Sequence, residues 1–232
     1  MLGYNLAACT LEQAVAWCVR AAQEDVSKLV VTLNPEIVVR AREDHQLAHA
    51  ILQAELITAD GIGIMWAAKR ANVTLPERVS GVDMMFALLA CDPPLKVFLL
   101  GSKPGVAALA ADVARARYGT EIVGVQHGYF DKDHPQEVVA QIANSGANVL
   151  FAGLGEGQEV FLQQHRKQLG VSVMMGVGGA IDVLAGEVYR APQWTRQLGV
   201  EWAWRVGGDP KRWHRIPRLW SFVQLVREQA RG

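Results

Sequence analysis

The sequence has few cysteines and no arrangement of them. Cys9, Cys18 and Cys91 are the only three in 232 residues, and no two form a CxxC pair. A disulfide framework is excluded, and the thiols read as small buried hydrophobes of a reducing compartment. No basic start followed by an apolar run opens the chain, so no secretory signal is visible. No uninterrupted apolar run reaches the roughly 18 residues of a membrane span. The expectation is a cytoplasmic protein, soluble or attached at most to a membrane surface. A GxxxxGK[ST] loop is also missing, which excludes a Walker-type NTPase. The GxGxxG spacing is incomplete: Gly61 and Gly63 lead to Trp66, and Gly176 and Gly178 lead to Ile181. Neither run opens the chain as a first βαβ unit, which argues against a nicotinamide enzyme.

The net charge is zero, yet the signs are unevenly spread. Residues 190–232 carry nine Lys/Arg against three Asp/Glu, and residues 1–189 hold the matching acidic excess. Five of the seven tryptophans, Trp194, Trp202, Trp204, Trp213 and Trp220, lie in the same basic tail. An acidic body with a basic, Trp-rich tail implies different surroundings for the two parts. The acidic body and the lack of a recognised motif exclude nucleic acid as a partner. With 50% hydrophobic and 20% charged residues, the chain suits one core with an appendage. The division expected is an α/β domain over residues 1–190 and an appendage over 191–232.

Six β-rich runs recur at 28–34, 55–60, 96–101, 121–128, 148–155 and 171–179. Most are too continuous for a one-sided strand and suit a parallel sheet covered on both faces. Helical stretches separate them: 35–52, 81–90, 104–119, 135–146 and 158–170. Another, at 10–22, starts with a capping box from Thr10 to Gln13. Gly119 supplies a helix stop, and Pro35 and Pro104 suit first helical turns. Alternating strand and helix predicts a doubly wound, mostly parallel, Rossmann-like α/β sheet.

Every predicted strand ends in a polar or glycine-rich turn: LNPE, ADGIG, GSKPG, QHGYF, GLGEGQE and GVGGAID. In an open parallel sheet such turns gather along one edge, where ligands bind. Free N–H groups at the helix starts suit a diphosphate. Asp60 stands at that edge after the apolar run ELIT, where Gly61 and Gly63 allow close approach to the backbone. It reads either as a turn residue or as a catalytic base. Asp131 and Asp133 form a D-x-D, the spacing of a cation site, or else Asp133 caps a helix near Pro135. His45 and His49 share a helix face at i, i+4 but lack the HExxH glutamate, and read as a solvated pair.

VVTLNPEIV, ADGIGI, ERVSGVD, LGSKPGV, HGYF, GLGEGQE and GVGGAIDVLAGEVYRAPQW, then LGVEWAWRV and DPKRW, occur in this order. Over residues 2–213 the set resembles the WecG/TagA/CpsF family, glycosyltransferase family 26. The resemblance implies a bacterial, inverting enzyme that needs no metal or other cofactor. It implies transfer of a sugar, often of N-acetylmannosamine type, from UDP to a polyprenyl-diphosphate-linked GlcNAc at the inner face of the cell membrane. Teichoic acid, enterobacterial common antigen and capsule or exopolysaccharide synthesis are the settings it suggests. By resemblance Asp60 is the base, Thr32 and Asn34 contact donor sugar and acceptor, and Arg78 offsets diphosphate charge. Asn34 before Pro35 reads equally as the start of a helix, and Arg78 as a surface arginine. Gly101 and Ser102, Gly153, and Gly178 belong to candidate nucleotide loops. Gln158 matches a family glutamine near the nucleotide, and Asp182 is a candidate uracil or ribose partner. Tyr129 and Phe130 pack either on the nucleoside or in the core. One departure stands out: the family usually shows Pro-Lys before Gln158, where this chain has Glu156 and Gly157. A carboxylate beside a diphosphate weakens nucleotide binding unless Glu156 points away.

In the tail, Trp213, Ile216, Leu219, Trp220, Val223 and Val226 recur at helical spacing, flanked by Arg212, Arg215 and Arg218. Pro210 fits a helix start, and Pro217 should break or restart it. The stripe suits an anionic membrane surface, docking on the core, or burial in a homo-oligomer. The resemblance implies an appendage that touches the membrane and brings these arginines to the lipid diphosphate or leaving group. The competing functional class is a catalytically silent nucleotide-sugar-binding protein that regulates envelope synthesis through its tail.

Overall fold

All six predicted runs form strands: β1 (Lys28–Leu33), β2 (Leu56–Ala59), β3 (Lys96–Gly101), β4 (Glu121–Gln126), β5 (Val149–Gly153) and β6 (Val173–Gly176). The computed structural model describes residues 2–189 and 216–229. The strands make one sheet in the order β2-β1-β6-β5-β3-β4, with every neighbouring pair parallel. The continuous apolar sequences have their reason here. Val149 to Ala152, and Val173 to Gly176, are buried on both faces of the sheet.

The helices are α1 (Leu11–Ala21), α2 (Pro35–Arg40), α3 (His45–Leu52), α4 (Ile62–Arg70), α5 (Gly81–Leu89), α6 (Val106–Tyr118), α7 (Gln136–Ala143), α8 (Gln158–Gln164), α9 (Arg166–Leu169), α10 (Ala180–Leu184) and α11 (Ile216–Gln229). One core face takes α1, α5, α6 and α10 against Val30, Val97, Leu99, Phe151 and Met175. The other takes α2, α3, α4, α7, α8 and α11 against Leu29, Val31, Leu100, Leu150 and Met174. Alternate residues within each strand therefore serve opposite layers, as the pleat requires. The sheet is doubly wound, as the alternation of elements predicts.

Local signals held where they were strongest. Thr10 and Gln13 cap α1 reciprocally, Pro35 sits in the first turn of α2, and Gly119 closes α6 in the left-handed region. Two long helical stretches are broken. Residues 35–52 divide because the Asp44 carboxylate accepts from Leu47 N–H and starts α3 anew. Residues 158–170 divide at His165, which ends α8. Pro104 precedes α6 instead of entering its first turn, since Gly105 is the cap. Pro217 lies in the first turn of α11 and does not break it, whereas Pro210 lies outside the described residues.

The three thiols are free. Cys18 is buried at 0% exposure, and desolvation pushes its pKa up to about 12, which makes it a packing residue. The tail stripe is carried differently from the expectation. Phe222 and Val226 are buried, while Trp220 is 64% exposed. Trp213, Arg212, Arg215 and the 190/191 boundary lie outside the described residues. Among the described residues no helix is long and apolar enough to cross a membrane.

Candidate active site at the carboxyl edge of the sheet

Asp60 follows the last residue of β2, and its N–H donates to Leu33 O of β1 at 2.8 Å. This bond extends the β1–β2 ladder by one step and fixes where the carboxylate begins. In the same ladder Thr32 pairs with Thr58. Thr32 is 8% exposed and lies beneath the first residue of α5, Gly81. A Cβ on Gly81 would come within 2.9 Å of Thr32 Oγ1, so the glycine lets that helix start close above β1. Asn34 caps α2, its Oδ1 accepting from Ile37 N–H at 3.0 Å. The helix-start reading of Asn34-Pro35 therefore holds, and the cap pins the residue beside the strand end.

Arg78 is not a loose surface arginine. Val79 N–H donates to Ala59 O at 2.9 Å, which ties the segment to the end of β2. The Arg78 Nη2 lies 3.7 Å from Asp83 Oδ2, and Ser80 Oγ donates to that same oxygen at 2.5 Å. Ser80 also accepts from Asp83 N–H and so caps α5. One capping pair thus orients the arginine on the segment bonded to the end of β2. Gly61 caps α4 at φ 87°, but Gly63 has no room for a visitor. A Cβ there would lie 2.6 Å from Pro35 Cγ and 3.4 Å from Phe222, so the space belongs to α2 and α11.

Toward the other side of the sheet the edge is built from backbone. Gly101 of β3 faces Gly153 of β5, and a Cβ on Gly101 would come within 2.4 Å of Gly153 O. A Cβ on Gly153 would come within 2.6 Å of Gly178 O. Ser102 holds φ 58°, donates its N–H to Gly153 O, and accepts from Gly128 N–H at 2.9 Å. Its Oγ is buried with no hydrogen-bond partner among the described residues. A strained backbone with an orphaned hydroxyl marks a place built for something other than stability. Tyr129, 69% exposed, stands at this end, whereas Phe130 packs edge-on against Phe161 at 5.7 Å and belongs to the core.

Gln158 bridges inside the protein. Its Oε1 accepts from Gly178 N–H at 3.1 Å and its Nε2 donates to Glu159 Oε1 at 2.8 Å. The Gly178 N–H fixes the amide orientation, because a backbone N–H can only donate. Gln158 therefore supports the Gly178 loop from behind. Glu159 is buried at 3% exposure, and desolvation raises its pKa, opposed by the Gln158 hydrogen bond and by Arg40. Asp182 lies in α10, with Oδ2 close to Gly179 at the mouth of the same loop.

The tail reaches this edge through Arg218. Its Nη1 donates to Glu36 Oε1 and to Glu156 Oε1, each at 2.8 Å. Glu156 is thus turned toward arginines. The D-x-D is a turn: Asp131 accepts from Asp133 N–H and meets His134 Nδ1, each at 2.9 Å. That contact with His134 holds the Asp131 carboxyl below its ordinary pKa. Asp133 does not cap α7, whose N-cap is Pro135. His45 and His49 are exposed and line a groove of about 260 Å³ between α3 and α8, away from the strand ends.

Sequence reading did not single out Ser80, Asp83, Glu36, Arg40 or Glu159. Ser80 and Asp83 were detectable as an S-x-x-D cap before an apolar run. The others become visible only when α2, α8 and α11 are brought together.

A doubly wound sheet with a carboxylate at one end of its carboxyl edge and a glycine-lined backbone cradle at the other suits a nucleotide-activated donor. The glycosyl transferase WecG/TagA/CpsF family matches the chain over residues 1–232, and the chain belongs to that family and is a glycosyltransferase. It is 37% identical, over 91% of its own length and 83% of the other, to the N-acetylglucosaminyldiphosphoundecaprenol N-acetyl-beta-D-mannosaminyltransferase of Staphylococcus aureus (strain MW2).

Proposed function

We propose that this protein is an inverting, metal-independent transferase. It moves an N-acetylmannosamine-type sugar from UDP to GlcNAc carried on a polyprenyl diphosphate, in cell-envelope polysaccharide synthesis. The observation that carries the reading is Asp60, fixed at the end of β2 beside Thr32, Asn34 and Arg78 on the edge that also holds the glycine cradle. The Staphylococcus aureus relative supports the choice of sugar and acceptor by its name.

Neighbouring strands are about 4.8 Å apart, so Asp60 on β2 and Ser102 on β3 are separated by roughly 19 Å across four strand intervals. A nucleotide sugar laid across the strand ends spans much of that distance. The nucleotide rests on Gly101, Ser102, Gly153 and Gly178, with Tyr129 and Asp182 beside the nucleoside and Gln158 bracing the loop. The sugar reaches Thr32 and Asn34. The acceptor hydroxyl attacks the anomeric carbon from the Asp60 side as the bond to the diphosphate breaks, and its proton passes to the Asp60 carboxylate. Charge on the departing UDP is met by backbone N–H groups and by Arg78 and Arg218, with Arg212 and Arg215 as further candidates for the lipid diphosphate. The protein works at the inner membrane face, reached through the basic tail and its exposed Trp220.

Asp60→Asn tests the assignment. Transfer should fall by about 10²- to 10⁴-fold, while UDP binding and melting temperature stay near wild type. Retained transfer, or loss of UDP binding in step with transfer, would show that Asp60 is not the base.

A further inference from the structure

Glu156 divides its carboxylate between two arginines from distant parts of the chain. Oε1 accepts from Arg218 Nη1 of α11 at 2.8 Å, and Oε2 lies 3.8 Å from Arg40 Nε at the end of α2. Two guanidiniums converging on one pair of oxygens is the arrangement that receives a phosphate group. The three partners are held unequally. The Arg40 side chain is 15% exposed, and Arg218 keeps a second carboxylate, Glu36, at 2.8 Å. Glu156 is 55% exposed.

Its backbone is also the most permissive of the three. Gly155 at φ 71° and Gly157 at φ 91° flank it, and among the described residues a Cβ on either would meet nothing within 4 Å. An exposed carboxylate between two glycines in open space can swing out at little cost, because surface ion pairs are weakly held. The turn that carries it leaves β5 at the carboxyl edge, two residues beyond Leu154 and three beyond Gly153 of the cradle.

We infer that Arg40 and Arg218 form a binding site for a phosphate or diphosphate group, and that Glu156 is its resident competitor, displaced when the ligand arrives. The identity of the ligand rests on the transferase reading, since the group could belong to the nucleotide donor or to the lipid-linked acceptor. The anion site itself does not depend on that reading.

Inorganic pyrophosphate is the first probe, titrated by calorimetry at low salt into the wild-type chain, Glu156→Gln and Glu156→Ala. Removing the competitor frees the site, so both variants should bind about fivefold tighter than wild type. The gain should shrink at high salt and vanish when Arg40→Gln is added to Glu156→Gln. Wild-type affinity in both Glu156 variants overturns the inference, as does a gain that survives replacement of Arg40 and Arg218 together. Titrations with UDP and with farnesyl diphosphate then separate the sources. A gain confined to UDP assigns the site to the donor, a gain confined to farnesyl diphosphate assigns it to the lipid, and no gain with either overturns it. A chain that shows the pyrophosphate gain but never transfers sugar sinks the proposed function and leaves the anion site standing.

Discussion

The two edges of the same sheet are finished in opposite ways. At the amino edge, side chains close the backbone. Arg166 donates to Ser27 O at 3.0 Å and Gln53 O at 3.3 Å and pairs with Glu55, whose other oxygen accepts from Leu29 N–H at 2.8 Å. Asn148 does the same for Lys96 N–H at 2.9 Å. At the carboxyl edge, glycines bring backbone against backbone, Ser102 is strained, and its hydroxyl is left without a partner. One edge satisfies its polar groups from within and contributes stability. Under the proposed function the other keeps donors and close approach in reserve for a ligand, at a cost in stability that the rest of the fold covers.

The sharpest way to break that contrast is to add a side chain where the carboxyl edge has none. Gly101→Ala places a Cβ into Gly153 O at a φ of 142°, which should destabilise the fold by about 3 kcal/mol or more. A denaturant melt reads this directly, and an unchanged midpoint would mean that the edge is looser than described. Arg166→Met should cost about 2 kcal/mol by stranding Ser27 O and Glu55 in a partly buried setting. Because it lies at the amino edge, KM for donor and acceptor should not move, and a KM effect would blur the division between edges.

Ser102→Ala should act in the opposite sense. Its melting temperature should hold or rise, since a buried hydroxyl without a partner disappears, while UDP binding weakens by about fivefold. The smallest effect concerns Glu159. Burial raises its folded pKa above the ordinary 4.5, so the folded chain holds a proton that the unfolded chain has released. Glu159 therefore costs stability as pH rises above about 4.5. Glu159→Gln can still accept from Gln158, and its melting temperature should gain on wild type as pH rises above about 4.5. A constant difference across that range would remove the burial argument.

Much of this was legible in the sequence because it rests on local rules. The strands were visible as continuous apolar runs, and the glycine-rich turns after them located the carboxyl edge. Asp60 and Asn34 stood out because a strand end followed by Gly or Pro is a local pattern. What was not legible depends on partners far apart in the chain. Asp44 broke a helical stretch because a local cap outweighed the apolar period around it. Trp220 and Val226 shared the apolar stripe read in the tail, yet Val226 docks together with Phe222, which lay outside that stripe, while Trp220 stays exposed, since the surface offered by α2 and Gly63 sets which helix face is covered. Glu156 looked adverse to a diphosphate until Arg40 and Arg218, from two other helices, appeared around it.

The central claim is a carboxylate-driven transfer from UDP at the carboxyl edge, and one assay tests it most directly. UDP release is measured from UDP-N-acetylmannosamine in EDTA, with and without a GlcNAc-diphosphate-lipid acceptor. The account predicts release that depends on the acceptor and is lost in Asp60→Asn. Release equal with and without acceptor, or release only after adding a divalent metal, would contradict it.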